Sequence, residues 1–198
     1  MFLLALPCLI AGIAALPAKP VDCDKRAPTC PKLLASPPDG SYEYPHLILP
    51  ISRANPDTCY PNSYFAQVTP NDIATVFNFD FEPSAKGKTC ELVFLFPTQG
   101  SMETSSFTFE GPGNFVFDLS ALNKPATENV TKWNHQPQSG GTGDFPHPVN
   151  MQPGNSYSLQ SGPCEVGTFS LTMSSADTAF KWFQDYNPCA IGPYVLHS

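Results

Sequence analysis

Seven carboxylates stand on or beside stretches of strand character: Asp80, Glu82, Glu91, Glu103, Glu110, Asp118 and Asp185. Two acids held ~5–10 Å apart across a sugar ring are what glycoside hydrolysis needs, one to protonate the leaving oxygen and one to attack or to activate water. A charged side chain on a half-covered strand ordinarily stands on the solvent face, and the separation of acids remote in sequence is a tertiary quantity. No pair is therefore assigned, and no catalytic residue is expected. The histidines His46, His135, His147 and His197 form neither H-x-x-x-H nor H-E-x-x-H, and no two cysteines are spaced C-x-x-C, so neither a metal nor a cofactor is expected. A copper oxygenase would need histidine at its mature N-terminus, and none lies near the expected one. The serines sit in ordinary turn contexts, and a G-x-S-x-G nucleophile elbow is absent.

Aromatic side chains offer a different chemistry. Fifteen Phe, seven Tyr and two Trp exceed the needs of one core, and an exposed ring can stack on a sugar or anchor a protein partner. Trp133, in Lys132-Trp133-Asn134-His135, and Trp182, in Lys181-Trp182-Phe183-Gln184-Asp185-Tyr186, are the expected exposed rings. Trp182 is also open to partial burial, because Phe180 and Phe183 flank it. Asn129-Val130-Thr131 makes Asn129 the expected glycan acceptor in a polar surface stretch.

The elements that must position these residues follow from composition and pattern. The chain has 198 residues, 41% hydrophobic and 14% charged, enough for one sizeable core and far from the disordered regime. Twenty-three prolines and 13 glycines interrupt long helices and suit short strands joined by turns. A net charge of −7 makes nucleic acid and anionic membranes poor partners. Residues 1–18 open on an uncharged apolar run, MFLLALPCLIAGIAA, and read as a secretory signal peptide. Residues 19–43 read as a Pro-rich leader carrying a dibasic pair, Lys25-Arg26, taken here as two exposed charges. The C-terminal residues carry no hydrophobic tail, so no lipid anchor is expected.

From residue 44 onward nine strand-like runs recur, at 46–51, 63–69, 73–79, 89–96, 106–110, 114–119, 156–160, 166–172 and 191–196. The fold class is all-β: a single antiparallel β-sandwich. The run Leu92-Val93-Phe94-Leu95-Phe96 is apolar on both parities and predicts a strand covered on both faces. Alternation at Phe107 and Phe109 and at Phe115, Phe117 and Leu119, around Gly111-Pro112-Gly113, predicts a hairpin over 106–119. Residues 120–154 read as a surface loop, and residues 177–182 as a turn or two of helix. Without Cys8, which falls in the signal peptide, six cysteines remain: Cys23, Cys30, Cys59, Cys90, Cys164 and Cys189. An even set in an exported chain is a disulfide framework with 15 possible pairings. Proximity in sequence suggests Cys23 with Cys30, a pairing that would leave Cys30 unpaired if the chain were cut after Arg26.

Residues 44–51 (YPHLILPI), 76–80 (VFNFD), 87–97 (GKTCELVFLFP), 153–157 (PGNSY) and 183–188 (FQDYNP) resemble, in matching order, the fungal But-two C-terminal domain family. The resemblance implies a β-sandwich from residue 44 to the end. It also implies pairing of Cys90 with Cys164; Cys59 and Cys189 depart from the family pattern in the same way, which suggests that they pair with each other. It marks Gln184, Asp185, Tyr186 and Asn187 as a polar cluster, open both to ligand binding and to a turn held by side-chain hydrogen bonds. Family members of this kind look like secreted or wall proteins without established catalytic residues. The expected function is a secreted or wall-associated, non-catalytic protein that binds wall polysaccharide or another extracellular component. The alternatives are a carbohydrate-active hydrolase using an acid pair and an effector that binds a host protein.

Overall fold

The computed structural model describes residues 30, 31, 34, 42–141, 148–186 and 189–198. Its elements are strands, apart from two single turns of 3-10 helix, and all strand pairs are antiparallel. One sheet has four strands in the order β1 (Tyr42–Glu43), β13 (Gly192–His197), β5 (Thr89–Phe96) and β10 (Asn155–Pro163). A six-stranded sheet runs β2 (Leu47–Ser52), β4 (Ile73–Phe81), β11 (Gly167–Ser174), β7 (Asn114–Ser120) and β8 (Ser139–Gly141), with β9 (Val149–Asn150) also paired to β7. A third sheet holds β3 (Phe65–Val68), β12 (Ala179–Phe183) and β6 (Phe107–Glu110). All nine expected runs are strands. Pro50 is tolerated because β2 is an edge strand, where a missing N–H costs no ladder bond.

Period-two alternation directs the large residues inward. Phe77 and Phe79 of β4, Phe94 and Phe96 of β5, and Phe115 and Phe117 of β7 are wholly buried in one cluster. The four- and six-stranded sheets face each other across it, with the Phe94 and Phe117 ring centroids 6.4 Å apart. The three-stranded sheet closes the side: Trp182 stacks on Phe77 at 6.0 Å and meets Phe94 edge-on at 5.5 Å. Burial of each such ring is worth roughly 1.5–3 kcal/mol, and edge-to-face contacts add a smaller geometric preference.

β5 is covered on both faces, as its unbroken apolar run requires. Leu92, Phe94 and Phe96 face the main core, while Val93 and Leu95 meet Ala190 and Tyr194, with Leu34 and Tyr42 packed alongside. Leu34 belongs to the leader, so part of that segment is folded onto the domain. β4 is likewise two-faced: Ala74 and Val76 join Leu49, Ile51 and Ala126 in a second cluster, against which Trp133 packs. Within 120–154, Ala126 and Trp133 thus cover the six-stranded sheet, and the stretch contains β8 and β9.

Three expectations are corrected. Residues 106–119 are not a hairpin: β6 pairs with β12, whereas β7 pairs with β11, β8 and β9. Gly111-Pro112-Gly113 carries the chain from one sheet to another, and a Cβ at Gly113 would collide with the Met151 carbonyl. Residues 179–183 are a central strand instead of a helical turn. Helix and strand are not separable by pattern in so short an apolar run, and β3 and β6 on either side satisfy the β12 backbone.

The disulfides are the third correction. Cys90 is bridged to Cys164, with Cα atoms 5.0 Å apart, as the resemblance implied. Cys30, however, is bridged to Cys189 at a Cα separation of 5.2 Å, and Cys59 is exposed and unbridged. Neither Cys23–Cys30 nor Cys59–Cys189 is therefore a pair; Cys23 itself lies outside the described residues. Packing decides this. Leu34 and Tyr42 draw the leader over Val93 and Leu95, next to Ala190 at the start of β13. Cys59 sits on the opposite side, where Pro56 accepts from the Asn134 amide at 3.0 Å and Asp57 pairs with Lys132 at 3.1 Å.

Candidate functional site

The expected binding residues are dispersed, and several are structural. Trp182 is 1% exposed, so its faces contact Phe77, Phe94 and Phe180 and leave no room for a ligand. Its indole N–H donates to Gln184 Oε1 at 3.1 Å, and Gln184 Nε2 donates to the Pro193 carbonyl at 3.2 Å. Asp185 holds a turn: Oδ2 accepts from Thr104 Oγ1 at 2.6 Å, Oδ1 from the Tyr186 amide at 2.8 Å, and its carbonyl from the Tyr194 hydroxyl. Burial holds the Tyr194 phenol well above its ordinary pKa. The polar cluster is a tied corner. Tyr186 alone projects from it, 61% exposed, and Asn187 lies outside the described residues. Trp133 is half-buried against the second cluster. Asn129 is exposed in a left-handed conformation (φ 62°), while the buried Thr131 hydroxyl accepts from the Thr127 amide at 2.8 Å.

Asp80 and Glu82 stand near enough to Glu43 for their charges to join burial in raising its pKa, so three acids share one neighbourhood at the β1 and β4 edge. Asp80 accepts from Thr168 Oγ1 at 2.5 Å and pairs with His46 Nδ1 at 2.9 Å. Asp118 accepts from Ser139 Oγ at 2.7 Å. Glu43 stands 3.6 Å from His197 Nε2, whose other ring nitrogen lies 3.3 Å from Lys88 Nζ. Burial pushes the Glu43 carboxyl above its ordinary pKa, and the neighbouring His197 opposes that push. An open cleft of about 530 Å³ lies between the sheets near Cys90, lined by Phe81, Leu92, Leu119, Phe169 and Val195 among others. Glu165 is the one acid among its described lining residues.

A different surface gathers aromatic residues. On the outer side of the three-stranded sheet Phe65 stands directly opposite Phe183, ring centroids 5.3 Å apart. Tyr64 extends the row, 6.3 Å from Phe183. Tyr64 is 76% and Phe65 49% exposed, so these rings present faces and edges to solvent. Lys181 Nζ sits 5.6 Å from the Phe65 centroid, within cation–π range, and lies in register with Gln67 and Thr108. The strands place these groups by alternation: Ala66, Val68, Phe180 and Trp182 point inward, which turns Phe65, Gln67, Lys181 and Phe183 outward. The surface combines hydrophobic area with the Gln67 amide, the Thr108 hydroxyl and the Lys181 cation, a mixture of apolar and polar groups that can bind sugars and peptides. Sequence reasoning missed Tyr64 and Phe65. The signal was present in Phe65-Ala66-Gln67-Val68, where small aliphatic residues occupy one parity and a large ring the other.

The family model of the ubiquitin 3 binding protein But2 C-terminal domain matches residues 43–188. The chain belongs to this But2 domain family. No curated protein and no solved structure matches it. Within the matched But2 stretch lie the Cys90–Cys164 bridge and all of the aromatic surface. Both ends of the Cys30–Cys189 bridge fall outside it, as does β13. The second bridge therefore clamps together segments that flank the matched domain on either side.

Proposed function

We propose that this But2 domain is a secreted, non-catalytic binding module that holds a neutral wall polysaccharide on the outer face of its three-stranded sheet. The observation that carries this reading is the exposed pair Tyr64 and Phe65 packed beside the half-buried Phe183, on a sheet whose opposite face is core. Rings of this kind stack on the apolar faces of sugars without covalent chemistry, and Gln67 and Thr108 supply amide and hydroxyl groups beside them. Secretion is supported by the N-terminal apolar run and by the two disulfides, since such bridges persist in oxidising compartments. Asn129, exposed within its sequon, is the proposed glycan acceptor. Membership of a family described by a ubiquitin 3 binding protein supports a protein partner on the same surface as the second reading.

The test is retention of the purified secreted protein on insoluble chitin, β-glucan, cellulose and mannan, with released sugars assayed in the same tubes. Retention without sugar release is expected on at least one polymer, with a loss of tenfold or more in the Tyr64→Ala/Phe65→Ala variant and none in Trp133→Ala. Sugar release would replace the binding reading with a hydrolase. Retention indifferent to Tyr64 and Phe65 would move the site elsewhere, and absence of retention on all four polymers would favour the protein partner.

A further inference from the structure

The open cleft near Cys90 lies between the four-stranded and six-stranded sheets, and its volume of about 530 Å³ falls within the roughly 300–1,000 Å³ of sites that hold small molecules. Phe81, Leu92 and Val195 line it and are almost fully buried, while Phe169 is half-buried. Phe169 is held in place, because it stacks between Phe79 and Phe81 with both centroid separations at 5.4 Å. Leu122, also a lining residue, is 38% exposed and leaves an aliphatic side chain in water at the mouth.

Two features of β10 open this space and equip it. Tyr157 and Leu159 pack on the main core, and strict alternation would send Gln160 to the outer face with Ser158. A register shift between Ser158 and Gln160 cancels that step: Ser158 pairs with Val93 of the outer cluster, whereas Gln160 pairs with Leu92, which faces the main core. Residues directly opposite in a ladder share a face, so the bulge brings the Gln160 amide to the inner side, where it lines the cleft. Two residues on, Gly162 pairs with Cys90 on that same face, and a Cβ added there would meet nothing within 4 Å. A side chain at this position would occupy the cleft, and glycine leaves it open.

We propose that this cleft binds a neutral, sterol-sized lipid, its hydrocarbon body against Phe81, Leu92 and Phe169 and its hydroxyl on the Gln160 amide. The apolar lining takes hydrocarbon out of water, and an amide can both donate to and accept from a hydroxyl. Glu165 at the cleft and the net charge of −7 oppose an anionic head group, which makes a fatty acid a poor occupant. A rigid ring system suits a cleft with fixed walls, because it gives up little conformational freedom on binding. The cleft is separate from the outer face of the three-stranded sheet, and the lipid reading does not depend on what that face binds.

The experiment is equilibrium dialysis of the purified protein against tritiated cholesterol, with unlabelled cholesterol and palmitate as competitors. Saturable binding is expected, displaced by cholesterol and not by palmitate. Gly162→Phe should weaken it about tenfold or more by filling the cleft. Gln160→Ala should weaken it about fivefold, an effect that disappears when the probe is the methyl ether of cholesterol, which lacks the hydroxyl proton. Tyr64→Ala/Phe65→Ala should bind as the parent does, which separates this site from the outer aromatic face. Thermal unfolding of each variant checks that it is folded; should Gly162→Phe fail to fold, the Gln160→Ala comparison between the two probes decides. Lack of saturable binding would overturn the proposal, as would folded Gly162→Phe and Gln160→Ala variants that bind like the parent. Displacement by palmitate as strong as by cholesterol would overturn the neutral head group.

Discussion

Asn78 is the one polar side chain that β4 turns into the cover between the six-stranded sheet and the loop above it. It is buried, its Nδ2 donates to the Ala126 carbonyl at 2.8 Å, and its Oδ1 accepts from Ser170 Oγ at 2.6 Å and from the Ala126 amide at 3.2 Å. Removing it strands the Ala126 carbonyl and the Ser170 hydroxyl proton, while the Ala126 amide keeps its bond to Ser170 Oγ at 2.8 Å, and each unsatisfied group costs ~1–3 kcal/mol. Asn78→Ala should therefore lose about 2–4 kcal/mol in urea unfolding; a loss under about 1 kcal/mol would refute this role. Three exposed carboxyls, Asp57, Asp72 and Asp177, are held below their ordinary pKa, Asp57 by the Lys132 ammonium and the Asn134 amide. The Ala54 amide and the Ser52 hydroxyl hold Asp72 below its ordinary pKa, and the Asn114 side-chain amide followed by the Thr178 hydroxyl does the same for Asp177. A depressed folded pKa contributes stability that is present above the unfolded value of 3.8 and is lost as pH falls through the folded one. Glu43 is raised, so its contribution has the opposite sign, greatest at low pH and lost as pH rises through its folded value. Unfolding followed from pH 5 to pH 2 should show stability falling, with a shallower fall in Asp72→Asn/Asp177→Asn; an equal slope would sink the assignment.

At the scale of elements, the two bridges act on different joints. Cys90–Cys164 joins the start of β5 to the turn after β10, strands already paired along their length. Cys30–Cys189 fastens the leader, whose Leu34 and Tyr42 pack over the outer face of β5. Chain entropy assigns roughly 4–5 kcal/mol to either closure, but the native state without each bridge differs. Cys30→Ser/Cys189→Ser should lower the midpoint of unfolding and release the leader, seen as proteolytic trimming up to about residue 42. Cys90→Ser/Cys164→Ser should lower the midpoint without that trimming. Trimming in both variants, or in neither, would show that the leader is held by something other than its bridge.

For the whole molecule, three sheets share one aromatic cluster, because Phe94, Phe117, Phe180 and Trp182 come from all three and touch across it. No sheet keeps its buried face if another leaves, so fluorescence and far-ultraviolet circular dichroism should report coincident unfolding. The aromatic surface lies outside that cluster, and Tyr64→Ala/Phe65→Ala should unfold within about 1 kcal/mol of the parent, as exposed substitutions ordinarily do. A larger loss would mean that these rings are part of the framework instead of a free surface.

The sequence by itself determined the all-β class, nine of the strands and the two-faced coverage of Leu92–Phe96. Those follow from local pattern: alternation, unbroken apolar runs and the density of proline and glycine act within a few residues. The family resemblance added the Cys90–Cys164 pair. Which strands share a sheet was decided in three dimensions: Phe107–Glu110 and Asn114–Ser120 look like two arms of a hairpin, yet each is claimed by a different partner with a better-matched apolar face. A polar neighbourhood in sequence resembles a surface, so Trp133 looks accessible and Trp182, flanked by Phe180 and Phe183, is open to either reading; Trp182 lies in the shared cluster and Trp133 is partly buried against the second one. Cys30 found Cys189 instead of Cys23 because packing of Leu34 and Tyr42 on β5 set that distance. Burial, pairing and ring exposure depend on what arrives from elsewhere in the chain, and only the tertiary structure holds that.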